Sequence, residues 1–255
     1  MPLTRRAFAQ SLLAAPVAAS GISLTAAQSR AARIAVPVPH AAVTIGRFTV
    51  HILTDGHVDF PYGFFTGQSP EETAAQATAA NATQQGDTLQ LSFAQYLIDD
   101  GERLILVDTG PAGGIGDHTG KLPGALASLG VDPSDIDAVI LTHTHFDHIS
   151  GAILGGEAVF GRSEVYVDRR DIAQFTDPAA RSAAPDFLHS SFDATEELLR
   201  LYPRLHRIKG HHDLMAGIST VDLTGHTPGH IGVRIADGGQ SMLIVSDMLF
   251  HPLVH

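Results

Sequence analysis

The chain has 255 residues, of which 44% are hydrophobic and 17% charged, with a formal net charge of -11. This is a globular composition, long enough to bury a substantial core in one large α/β domain or two small ones. The acidic balance speaks against a nucleic-acid partner and against anionic membrane surfaces. There is no cysteine, which excludes disulfides, thiolate metal sites and a cysteine nucleophile, and leaves any metal to nitrogen and oxygen donors.

The N-terminus reads Thr4-Arg5-Arg6-Ala7-Phe8, followed by an Ala-rich, mildly apolar run to Ala27, with no acidic residue before Asp55. Residues 1–27 have the form of an export signal. The paired arginines with Phe8 beyond them resemble the twin-arginine signal, which implies hand-over to that export machinery and a periplasmic or secreted bacterial protein. Ser11, Pro16, Ser20, Gly21 and Ser23 interrupt the run, so it does not read as a membrane span, which needs ~20 apolar residues. Residues 28–42, with Pro37 and Pro39, read as a linker, and 43–255 as one domain.

Val43 to Thr54 is β-rich and ends on Asp55-Gly56, a turn signal. Residues 59–87 read as loop, with a possible helix from Pro70 to Ala80. Leu89–Ile98 and Arg103–Val107 flank Asp99-Asp100-Gly101 as a β-hairpin. Leu122–Leu129 suits a short helix stopped by Gly130, and Ile136–Leu141 a buried strand. Further on, Glu164–Val167 is a predicted strand, and Arg169–Phe175 and Phe192–Tyr202 are predicted helices. Ile218–Leu223, Gly232–Ile235 and Met242–Val245 are predicted strands, the last two joined at Asp237-Gly238-Gly239. Strands with interspersed helices favour a layered α/β domain.

The chemistry concentrates in Thr142-His143-Thr144-His145-Phe146-Asp147-His148, directly after a predicted strand. Residues two apart in extended chain project to one side, which places the His143 and His145 imidazoles together, with Asp147 and His148 just beyond. Imidazole and carboxylate together suit zinc, iron or manganese. A surface loop with surplus histidines is the plain alternative. Two strand ends add to the pattern: His226 in Gly225-His226-Thr227-Pro228-Gly229-His230, and Asp247 after Ile244-Val245-Ser246.

In this order the residues resemble the signature of the metallo-β-lactamase superfamily, over about residues 43 to 250. The resemblance implies an αβ/βα sandwich, two β-sheets flanked by helices. It implies a first metal on His143, His145 and His226, a second on Asp147 and His148, and Asp247 bridging both. It makes Asp108, in Leu106-Val107-Asp108-Thr109-Gly110, an orienting partner of a ligand histidine, and His230 a supporting residue. His40, His51, His57, His118, His189, His206, His211 and His212 match no ligand position.

Two divalent ions, most simply zinc, imply a hydrolase that attacks with a metal-bound hydroxide. Asp147 is the catalytic candidate, orienting the nucleophile or carrying its proton to the leaving group. An aspartate rather than a cysteine at 247 argues against the cysteine-ligand zinc β-lactamases. The layout is closest to the group holding methyl parathion hydrolase and N-acyl homoserine lactone lactonases. The expected substrate is therefore a small-molecule lactone or ester, with phosphotriester or thioester hydrolysis as alternatives. The apolar run Phe60-Pro61-Tyr62-Gly63-Phe64-Phe65 suits an acyl or aryl group or a core cluster. A catalytically dead metal-binding protein or an inactive fragment is the rival of another class. The family pattern carries a further His beyond the bridging Asp, and here only His251 and His255 follow Asp247. The expectation is a domain incomplete at its C-terminus, with an impaired second metal position.

Overall fold

The structure, a computed structural model, describes residues 41–65 and 67–249. The expectations for the export segment, most of the linker, and His251 and His255 lie outside those residues.

The elements run β1 (Ala41–Ile45), β2 (Phe48–Pro61), α1 (Pro70–Ala79), β3 (Gln84–Gln85), β4 (Thr88–Asp99), β5 (Leu104–Val107) and α2 (Leu122–Ser128). β6 (Ala138–Ile140), α3 (Phe146–Ile149), β7 (Ile153–Leu154), β8 (Glu157–Ala158), β9 (Glu164–Asp168), α4 (Arg169–Phe175), α5 (Pro178–Ala183) and α6 (His189–Leu201) follow. The chain then forms β10 (His206–Ile208), β11 (His212–Met215), β12 (Ile218–Asp222), β13 (Ile231–Asp237) and β14 (Gln240–Ile244).

The larger sheet has the order β1-β2-β4-β5-β6-β9-β10, with β3 paired to β4. It is mixed: β5–β6, β6–β9 and β9–β10 are parallel, and the pairs from β1 to β5 are antiparallel. The smaller sheet, β11-β12-β13-β14, is antiparallel throughout. β5 shows how the layers are built. All four of its residues are buried, and alternate side chains face opposite ways. Leu104 and Leu106 join a core with Leu122, Leu126, Ile149, Ile172 and Leu198 on the helical side. Ile105 and Val107 join Phe48, Ile140, Ile218, Ile231, Val233, Ile235 and Ile244 between the two sheets. Fully burying each such side chain stabilises the fold by about 1.5–3 kcal/mol. A strand buried on both faces reads as a continuous apolar run, as Leu-Ile-Leu-Val does.

The expected helix from Pro70 to Ala80 is α1, but the sequence expectation for residues 43 to 61 needs correction. Two strands replace one, joined at Gly46-Arg47, and β2 continues past Asp55-Gly56 to Pro61. The Asp-Gly pair is a bulge, where the register with β4 shifts between Thr54 and Gly56. The Asp55 carboxylate turns inward and accepts the N–H groups of Ala112, Gly120 and Leu122. Gly56, at φ +122°, lies so close to the His118 carbonyl that a Cβ would stand 1.8 Å from its oxygen. Tyr62 and Phe65 of the apolar run fill a small core with Ala77 and Leu89, whereas Phe64 is 59% exposed.

Among the described residues, no helix is long and apolar enough to cross a membrane. The carboxyl ends of β5, β6 and β9 lie side by side. At such strand ends, loops rather than the sheet decide the chemistry.

Candidate metal centre

Two strand ends, a short helix and one loop supply the centre. β6 ends at Ile140 and runs through Leu141 and Thr142 into His143 and His145. His145 still has extended backbone (φ -65°, ψ 146°) as the residue before α3, so the helix begins within the motif and carries Asp147 and His148. The loop entering β13 carries His226, and the turn after β14 carries Asp247.

His143, His145, His226 and Asp247 form one group whose donor atoms all lie within 4.8 Å of one another, and Asp147, His148 and Asp247 form a second. In the first group, Nδ1 of His145 lies 3.1 Å from Nε2 of His143 and 3.0 Å from Nε2 of His226. Oδ2 of Asp247 lies 3.8 Å from Nε2 of His143 and 3.3 Å from Nε2 of His226. In the second, Nε2 of His148 lies 3.7 Å from Oδ2 of Asp147 and 3.3 Å from Oδ1 of Asp247. One oxygen of Asp247 thus faces each group.

This donor set fits divalent cations. Ligands at 2.0–2.1 Å around a tetrahedral ion stand ~3.3 Å apart, close to the separations here. Three imidazole nitrogens aimed at one point bring lone pairs together, an arrangement a cation relieves. All donors are nitrogen or oxygen, as the cysteine-free composition requires.

The protonation states of His143 and His145 favour this use. Burial, reinforced by the neighbouring His148, holds His143 well below the ordinary imidazole range. Burial and the adjacent His226 lower His145 to about 3. Neutral imidazole is the form that binds metal. Burial opposes charge on His148 too, but the carboxylates of Asp247, Asp108 and Asp147 outweigh it and raise its pKa well above the ordinary value. Asp247 shows the converse: burial opposes its charge, and the attraction of His148 holds it well below the carboxylate range. Burial raises Asp147. The side chains of His226 and Asp147 are 24% and 21% exposed and that of His143 is 0% exposed, so the centre opens to solvent on the His226–Asp147 side.

Asp108 lies beneath the centre, with its backbone at φ 57°. Its Oδ2 accepts from Nδ1–H of His148 at 2.9 Å and from the Thr142 hydroxyl at 2.7 Å, and its Oδ1 accepts the Thr142 N–H at 2.8 Å. With Nδ1 engaged, the His148 tautomer is fixed and Nε2 is left for a ligand. Ser246, also at positive φ (46°), sets its hydroxyl 2.9 Å from that of Thr142, which ties the turn carrying Asp247 to the base of the histidine motif. His230 is fully buried, its Nδ1 donating to the Leu223 carbonyl at 3.1 Å, and its ring stands 5.2 Å from that of His143. It belongs to neither donor group.

Sequence reasoning did not find Asp171, Thr142 or Ser246. Asp171 is fully buried against both ligand loops. A lone aspartate in a seven-residue helix gives no spacing cue. The one signal was its alternative, since a carboxylate three residues from Asp168 on an apolar helix face is hard to leave unpartnered.

Comparison with known proteins places these observations. The profile of the family described as the metallo-beta-lactamase superfamily matches residues 94–254. An N-acyl homoserine lactonase of Bacillus sp is 26% identical over 173 residues, which is 59% of this chain and 60% of that protein. The chain therefore spans about 60% of the length of that curated relative. Among solved structures, the hydrolase AbOPH of the beta lactamase superfamily is 25% identical with a TM-score of 0.74, covering 82% of this chain and 74% of that one. AidC, a dizinc quorum-quenching lactonase solved with the product N-hexanoyl-L-homoserine, shares the fold at 23% identity and a TM-score of 0.74, with the same coverage.

Proposed function

This chain belongs to the metallo-beta-lactamase superfamily, and from that premise we propose that it is a metal-dependent hydrolase that opens lactones or esters of small molecules. The observation that carries the reading is the Asp247 carboxylate, one oxygen 3.3 Å from Nε2 of His226 and the other 3.3 Å from Nε2 of His148. A side chain so placed could serve two cations at once. His143, His145, His226 and Asp247 would hold one, and Asp147, His148 and Asp247 the other.

When bound, the cations, taken as zinc by analogy with the dizinc lactonase AidC, would supply a water acidified to a pKa of about 7 and an electrophile for the substrate's carbonyl oxygen. The remaining work belongs to the chain. Asp108 keeps a proton on Nδ1 of His148 and so holds Nε2 towards the centre. Asp147, partly exposed on the open side with its pKa raised by burial, takes up a proton at its carboxylate and delivers it to the departing ring or ester oxygen. No side-chain nucleophile is needed, so no acyl-enzyme forms. The name of the Bacillus relative supports a lactone as substrate.

The test is turnover by purified, zinc-loaded protein on lactone, carboxylic ester, phosphotriester and thioester probes. Lactone or ester hydrolysis that is lost on chelation and restored by zinc is the expected result. Two bound ions with no turnover of any probe would favour a metal-binding protein without catalysis.

The basic, apolar segment at residues 1–27 supports a periplasmic or secreted location reached by the twin-arginine route.

A further inference from the structure

Asp171 is remote from every histidine of the centre in sequence, yet all its hydrogen bonds lead there. Its Oδ2 accepts the N–H of Thr144 at 2.9 Å and the hydroxyl of Thr227 at 2.9 Å, and its Oδ1 accepts the N–H of Gly229 at 2.5 Å. Thr144 lies between His143 and His145, and Thr227 follows His226. The carboxylate therefore clasps the two arms whose nitrogens meet at 3.0 Å, those of His145 and His226. Approach is as close as the backbone permits: a Cβ on Gly229 would stand 2.6 Å from the Asp171 nitrogen.

We propose that Asp171 is the positioning residue of the first metal position, setting the separation of the His143–His145 arm from the His226 arm and thereby the affinity for the cation between them. This deepens the metal-dependent reading above and rests on it. A carboxylate offers only acceptor lone pairs, which matches three donors from two loops. An amide in its place would turn a donor towards a donor on one side and break at least one of the three contacts. The centre is thereby divided between two buried carboxylates. Asp108 holds His148 and the base of the motif. Asp171 holds the flanks of His145 and His226, and no hydrogen bond joins it to Asp147 or His148 among the described residues.

The division is testable one position at a time. His148→Ala isolates the first position, and the pair His143→Ala and His145→Ala isolates the second. In each background Asp171→Asn is stripped of metal and titrated with Co2+, followed by its visible d–d absorption, and with Zn2+ against a competing chelator. The expected result is a loss of about 10–100-fold in first-position affinity, with an altered cobalt spectrum and unchanged second-position affinity. Thr227→Val, which removes one hydroxyl and leaves Asp171 in place, should weaken the first position in the same direction. It carries the test if Asp171→Asn does not fold. Unchanged affinity and spectrum at the first position, or equal losses at both, overturns the proposal. If the parent chain binds neither metal, the metal-dependent reading itself fails, an outcome distinct from failure of the clasp.

Discussion

Nδ1 of His148 and Oδ2 of Asp108 stand 2.9 Å apart, both side chains buried at the foot of the centre. The same oxygen accepts the Thr142 hydroxyl at 2.7 Å, so the contact orients a candidate ligand and pins the loop that carries it. Asp108→Asn leaves too few acceptors for the donors present. The second metal position should weaken by about 10–100-fold, read as loss of the second zinc equivalent after equilibrium dialysis. Two ions retained at unaltered affinity would remove Asp108 from this role.

Asp247 faces both donor groups, so Asp247→Ala should weaken both positions together. The double substitution His143→Ala and His145→Ala should empty the first alone, because Asp147, His148 and Asp247 remain. Zinc stoichiometry by atomic emission separates the cases. An Asp247 variant that binds both ions as the parent does would show that it is not the bridge.

Arg170 sits between Asp168, at 2.8 Å, and Asp222, at 3.0 Å, and joins the end of β9 to the strand leading to His226. Its hydrogen bonds lower Asp222 to about 2. Burial opposes the charge of Asp168, but Arg170 and backbone N–H groups hold its pKa below the ordinary value. Carboxylates depressed on folding stabilise above their unfolded value, about 3.9, and lose that contribution as pH falls through the folded one. The melting temperature of metal-free protein should therefore drop between about pH 4 and pH 2, and less steeply in Arg170→Gln. Asp222 is 46% exposed, so most of the effect belongs to Asp168. Parallel pH profiles for parent and variant would contradict the assignment.

Replacing Arg5 and Arg6 by lysine keeps the charge and removes the pair that the twin-arginine route reads. Periplasmic accumulation in a bacterial host should stop, and undiminished accumulation would point to another route.

What the sequence disclosed follows from how local the signal is. His143, His145, Asp147 and His148 fall within six residues after an apolar run, so ligand chemistry and strand geometry coincide in one window. Asp108 was visible through its Leu-Val-Asp-Thr-Gly setting. Asp171 was not, because its partners lie 27 and 56 residues away and only folding brings them near. Asp55-Gly56 misled for a related reason. The pair is a turn signal locally, and its use as a bulge depends on backbone donors 57 to 67 residues further on. β7, β8 and β10, two or three residues long, are too short to show any period.

The hydroxyls of Thr142 and Ser246 meet across 104 residues of chain, and this separation has a consequence during synthesis. At roughly 5–20 residues per second, the histidine motif leaves the ribosome about 5–20 s before the carboxylate that completes both donor groups. If the motif holds metal as proposed, in that interval it would be an open imidazole chelator, and the intrinsic order of affinities among divalent ions favours copper over zinc. Discrimination between metals then falls to the closed site, where geometry acts, or to the compartment in which closure takes place.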